Sequence, residues 1–167
     1  LALGVGLGLG LAAGPRCAGA EGSWKEGFAR ARITPSEAMW LSGYGSRERR
    51  SEGTRIDLWA KALMLEAPGG TRGLILSVDL VGVDRETATE VRGRIARDTG
   101  IPATNIALCS SHTHTGPVVG HNLETMYFFG DDEKGKVTRY TSSLIDTLER
   151  IGRESAASLA PALLSWG

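Results

Sequence analysis

At 167 residues with 41% hydrophobic content, the chain has the size of one ordinary domain, or part of one, and enough apolar material to bury a core. Lys plus Arg equal Asp plus Glu at 19 each, so no net field recruits nucleic acid or an anionic membrane, and a DNA-binding role is disfavoured. Many of the 23 Gly lie near the start or at turns, and the rest of the chain patterns as folded.

Leu1 to Gly14 contains only Leu, Ala, Val and Gly, the composition of the apolar core of an export signal, and is too short to span a bilayer. Ala18-Gly19-Ala20 then offers small residues at alternate positions, as signal peptidase requires. Residues 1–20 are thus predicted to be a Sec-type signal, cleaved after Ala20, leaving a secreted or periplasmic chain that starts at Glu21. Neither an initiating Met nor a basic leader precedes the run, so the sequence is expected to have lost its first residues. The alternative, a buried Gly/Ala/Leu helix, suffers from the poor helix propensity of Gly. A lipid anchor at Cys17 is opposed by Pro15 and Arg16 just before it.

From Gly27 to Thr34, apolar and charged residues alternate with a period of two, which predicts a half-exposed strand ending at Pro35. Leu41 to Gly53 is rich in Gly, Ser, Arg and Glu and reads as a long loop, a kind of segment that is often functional. Trp59 to Leu65 is a second strand, and Pro68-Gly69-Gly70 a turn. Leu74 to Leu80 is a third strand, whose apolar residues on both sides predict burial on both faces.

Asp84 can cap a helix that runs to about Asp98, with Ala88, Val91 and Ile95 on one face and Gly100-Ile101-Pro102 stopping it. Asn105 to Ser110 is a fourth, apolar strand. Its Cys109 stands alone once Cys17 leaves with the signal, and is expected to be a small buried hydrophobe rather than a catalytic thiol. Strand, helix and strand form a βαβ unit, whose two strands run parallel with a right-handed crossover. A second amphipathic helix spans Lys136 to Ser158 and ends at Pro161, and Ala162 to Trp166 starts another strand. The predicted class is therefore α/β: a mixed or largely parallel sheet with a βαβ unit and flanking helices, expected to continue past Gly167.

Ligands of open α/β folds bind at the carboxyl ends of parallel strands. The third strand ends at Asp79, and the fourth runs out into His112-Thr113-His114. If strand geometry persists, His112 and His114 point the same way, toward one cation. Asp79 on that edge could orient an imidazole or a metal-bound water. A bare His-x-His arises by shuffling in about one chain in thirty, so its place at a strand end adds to the signal. The alternative leaves both histidines satisfied by the hydroxyls of Ser110, Ser111, Thr113 or Thr115. A catalytic zinc normally takes three protein ligands plus water. His121 follows a Gly-containing turn and reads as a solvated loop residue, so the missing ligands are expected beyond Gly167. Three strands precede the pair, which disfavours an amidohydrolase barrel, and Gly116-Pro117 stands where a metallo-β-lactamase-like site wants an Asp-His pair.

Ser111-His112-Thr113-His114-Thr115-Gly116-Pro117 resembles the histidine motif of the neutral/alkaline non-lysosomal ceramidases, a Thr-His-Thr-His-Ser-Gly-Pro run after a buried strand. Three further segments match in order: Ala31 to Thr34, Leu41 to Tyr44 with Glu52-Gly53, and Val78 to Gly82. The resemblance covers Gly27 to Trp166 and implies that residues 21–167 are the N-terminal part of a hydrolase domain. In that family a zinc ion activates water to cleave the amide of ceramide into sphingosine and a fatty acid. By resemblance His112 is a zinc ligand, and His114 is a catalytic residue beside the metal that helps bind substrate. The other family ligands, a His, a Glu and a Tyr, come from later sequence. A ceramide or similar lipid amide substrate implies transient contact with a membrane surface. Two departures stand out: Val118-Val119-Gly120 replaces a glycine pair and is expected to add bulk near the pocket, and Thr54-Arg55 stands where the family has a His. They leave open a metallohydrolase of another amide or ester, or an exported binding protein without catalysis.

Overall fold

The structure, a computed structural model, describes residues 23–165. The expected export signal and its cleavage site lie outside them. In chain order the elements are β1 (Trp24–Arg32), β2 (Trp59–Glu66), β3 (Arg72–Val78), α1 (Arg85–Thr99), β4 (Ile106–Ser110), α2 (Asp131–Ala157) and β5 (Ala160–Ala162). The strands form one mixed sheet in the order β4-β3-β2-β1-β5. Only β3 and β4 run parallel, joined through α1, and every other pairing is antiparallel. The α/β class and the βαβ unit are as the sequence predicts.

The period-two alternation of β1 sends Ala29 and Ala31 inward and leaves Phe28 exposed. A tight turn with Gly70 at φ 81° joins β2 to β3, a left-handed conformation that suits glycine. Asp84 caps α1 by accepting from the Thr87 N–H, and Gly100 at φ 73° closes it. Val91 and Ile95 of α1 and Leu144, Leu148 and Ile151 of α2 share one core with Ala60, Ala62, Met64, Leu74, Leu76 and Val78 of the sheet. No helix among the described residues is long and apolar enough to cross a membrane.

Four expectations need correction. β3 is buried on one face only: Leu74, Leu76 and Val78 face the core, while Ile75 is 44% exposed on the other side. Cys109 is exposed, because β4 is the outermost strand and only Ile106 of it is fully buried. α2 starts at Asp131, not Lys136; Asp131, Asp132 and Glu133 carry no apolar periodicity but suit the positive end of a helix dipole. Pro161 lies within β5, at the sheet edge where a missing N–H is tolerated, and that strand ends at Ala162 instead of starting there.

Candidate active site

Parallel pairing sets Val78 of β3 beside Ser110 of β4, so both strands end at one edge. Hydrogen bonding continues past the strands: Ser111 N–H donates to Val78 O at 3.0 Å, and Thr113 N–H to Leu80 O at 3.1 Å. The His motif is thus stitched to residues 78–81 as it leaves the sheet.

His112 departs from strand geometry. Its φ is +58°, a left-handed conformation that costs a residue with a Cβ about 1–2 kcal/mol. Its Nδ1 lies 3.0 Å from the carbonyl oxygen of Val81. A carbonyl only accepts, so Nδ1 carries the proton of the neutral ring and the lone pair sits on Nε2, the arrangement of a metal-ligating imidazole. Ser111 and Thr113 join hydroxyls at 2.7 Å across the motif. The ring centroids of His112 and His114 are 4.8 Å apart. The rings therefore meet, but through a left-handed residue followed by a turn, not through strand alternation.

A loop that begins at Leu41 wraps His114. Gly43, at φ +101°, lies so close that a β-carbon there would be 2.6 Å from Cγ and Nδ1 of the His114 ring. Tyr44 meets the same ring edge-on, with centroids 4.6 Å apart. Arg47 donates to the His114 carbonyl at 2.6 Å, and its guanidinium lies 5.2 Å from the centre of the Tyr44 ring. Under this cover His114 Nδ1 is buried without a hydrogen-bond partner among the described residues. The alternative in which motif hydroxyls satisfy both rings does not describe this geometry, since the Thr113 hydroxyl bonds to that of Ser111, which also contacts the Val78 carbonyl and the Asp79 carboxylate.

Asp79 stands on this edge, and its hydrogen bonds go elsewhere than to an imidazole. Its carboxylate accepts from Trp59 N–H at 2.9 Å and from the Ser111 hydroxyl at 3.4 Å, tying the motif to β2. His121 is an exposed loop residue whose Nδ1 lies 2.9 Å from Glu124, and that carboxylate raises its pKa above the usual His range. Val118 and Val119 are each 1% exposed and point into the two apolar cores, so the expected bulk near the pocket is absent. An open groove of about 790 Å³ runs past Glu37, Leu41 and Arg55 to Thr115 and Pro117, and neither His112 nor His114 lines it.

The donor chemistry fits a borderline cation such as zinc, with one Nε2 lone pair fixed by its tautomer and a second imidazole beside it. Among the described residues no three His, Cys, Asp or Glu side chains come together in a way that could hold a metal. Sequence reasoning singled out the Leu41 to Tyr44 segment but not Arg47 or Tyr127. No local signal marks Tyr127, whose phenol reaches Ser42 across 85 positions of sequence.

No family model matches the chain. It is 28% identical over 151 residues to the neutral ceramidase of Pseudomonas aeruginosa, covering 86% of this chain and 22% of that protein. Among solved structures, a ceramidase complexed with C2 superposes with a TM-score of 0.70 at 22% identity, over 84% of this chain and 22% of the other. The crystal structure of neutral ceramidase from Pseudomonas aeruginosa gives 0.66 at 24% identity, over 85% and 23%. The chain thus spans about a fifth of the length of each of these relatives. By sequence the chain is similar to a neutral ceramidase, and over the part it spans it shares the fold of the solved ceramidases.

Proposed function

We propose that this chain supplies one wall of the active site of a secreted, zinc-dependent amide hydrolase of neutral ceramidase type, which splits an N-acylsphingosine into sphingosine and a fatty acid. The observation that carries the proposal is the pair of imidazoles, 4.8 Å apart at the end of β4, within a chain 28% identical to a neutral ceramidase. His112 would hold the zinc through Nε2, with Nδ1 locked to the Val81 carbonyl. When bound, such an ion lowers the pKa of its water and polarises a carbonyl. His114 stands beside it, shielded by Gly43 and Tyr44, and orients the amide of the substrate. Asp79, through Ser111, keeps the motif seated on the sheet edge.

Because the chain spans about a fifth of its relatives, the remaining ligands belong to other parts of the full-length protein. Residues 1–20 direct export, so the mature protein begins at Glu21. The crowding of Val118 and Val119, which favoured a different amide or ester, lapses with both side chains in the core.

The test is sphingosine release from a short-chain N-acylsphingosine by the full-length protein, before and after zinc is stripped and restored. Hydrolysis that disappears with the metal and returns with it is expected. A zinc-loaded protein that releases no sphingosine would overturn the substrate, and unchanged hydrolysis by the stripped protein would overturn the metal. N-terminal sequencing of the exported protein should begin at Glu21.

A further inference from the structure

The loop over His114 is held from beneath. Ser42 N–H donates to the Gly116 carbonyl at 2.8 Å, and Val118 N–H donates to the Trp40 carbonyl at 3.0 Å. These bonds fix residues 40–42 along the exit of the His motif. Past Ser42, among the described residues, no further backbone bond ties the loop to the exit of the motif. What anchors the next residue is a side chain: Gly43 N–H donates to the phenol oxygen of Tyr127 at 2.8 Å, and the Ser42 hydroxyl lies 2.9 Å from the same oxygen.

Tyr127 is 8% exposed and Ser42 is 2% exposed. The Tyr127 ring belongs to a small apolar core with Met39, Val118 and Val137, and stacks on Phe129 at 6.0 Å. Packing alone explains the ring and not the hydroxyl, since a phenylalanine would fill the same space. A buried phenol is costly unless its oxygen finds partners, and both partners here lie at the start of the loop. The hydroxyl therefore pins the position at which Gly43 turns, and Gly43 is the residue pressed against the His114 ring.

We propose that Tyr127, with Ser42, is a positioning residue for His114: its phenol anchors the Gly43 amide, so that the loop seats on the imidazole and fixes the direction of the ring. This rests on the reading of His114 as a residue that works beside the metal.

The experiment compares wild-type full-length protein with Tyr127→Phe, His114→Ala and the double variant. Its readouts are zinc content, amide hydrogen exchange, and kcat and KM for a short-chain N-acylsphingosine. Tyr127→Phe is expected to retain zinc, to speed exchange at Gly43 by about tenfold while β2 and β3 stay protected, and to lower kcat/KM by about fivefold or more. In the His114→Ala background the same substitution should have no further effect on residual kcat/KM, because a residue acting through His114 loses its lever when that ring is gone. An equal loss in both backgrounds assigns Tyr127 to the fold alone and overturns the proposal, as does unchanged exchange at Gly43. If His114→Ala itself leaves hydrolysis intact, the reading of His114 fails, and the faster exchange at Gly43 still reports the anchor separately. Should Tyr127→Phe fail to fold, Ser42→Ala removes the other partner of the phenol and leaves the Gly43 bond in place, so it is judged by kcat/KM alone: a loss confined to the background with His114 supports the proposal, and an equal loss in both backgrounds, or none in either, overturns it.

Discussion

Nδ1 of His112 lies 3.0 Å from the carbonyl oxygen of Val81, so the first histidine of the motif is oriented by the segment that follows the neighbouring parallel strand. The βαβ unit therefore positions the site twice, by bringing two strand ends together and by supplying the acceptor that selects the tautomer.

That relationship predicts the effect of His112→Asn. Asparagine tolerates the left-handed backbone better than alanine does, so the substitution removes the imidazole with little change at φ +58°. Zinc in the full-length protein should fall from about one equivalent to a trace, while circular dichroism keeps the sheet signal. Elemental analysis that still finds stoichiometric zinc would reject His112 as a ligand.

Gly43→Ala probes the other histidine. A β-carbon would press on Cγ and Nδ1 of His114 and would also sit in a left-handed backbone at φ +101°. Either the ring rotates or the loop lifts, and displacements of this size near reacting groups cost about 100-fold in rate. The expected result is a loss of that order in kcat/KM with zinc retained, because the His112 contact to Val81 is untouched. Full activity in the Gly43→Ala protein would mean that the ring of His114 is free to move without consequence.

Much of this fold was legible because its signals are local. The Asp84 cap, the Gly100 stop and the Gly70 turn each act within a few residues, and the alternation of β1 states which face is buried. What escaped depends on who lies beside whom. The apolar run of β4 reads as burying Cys109, yet as the outermost strand it leaves that side chain exposed, and strand order is not written in strand composition. The meeting of His112 and His114 was anticipated, but from alternation, whereas a left-handed residue produces it. The loop clasp built by Gly43, Arg47 and Tyr127 has no local pattern at all.

Asp84 carries a pH dependence. Burial pushes its carboxyl up, but the Thr87 N–H and hydroxyl and the His121 N–H outweigh this and hold it below the usual Asp range. A group depressed in the folded state contributes stability that is fully present above its unfolded pKa of about 3.9. That contribution is lost as pH falls through the lower folded value. Asp84→Ala should therefore destabilise the protein by about 1–2 kcal/mol at pH 7, the typical cost of a lost helix cap. The gap to wild type should narrow on acidification below about pH 4. Urea unfolding at pH 7 and pH 3 measures both, and a gap that stays constant or widens in acid would show that the charge of Asp84 is not what the cap uses.

The sheet and α2 meet backbone to backbone at Gly27, which sets up a substitution whose sign is diagnostic. On propensity alone, alanine should improve a strand position occupied by glycine. Here the added β-carbon would overlap the carbonyl oxygen of Ser155 and lie 3.0 Å from Ser158 Oγ. Gly27 is pinned by its pairing with Met64 of β2. Ser155 is 0% exposed, in the last turns of α2. Neither backbone can yield without shifting the helix over the core, so Gly27→Ala should cost about 3 kcal/mol, the upper end for overpacking. Gly69→Ala is the control, since nothing lies within 4 Å of a β-carbon placed there. A melting temperature for Gly27→Ala equal to or above that of the control would mean that α2 rides further from β1 than the structure places it.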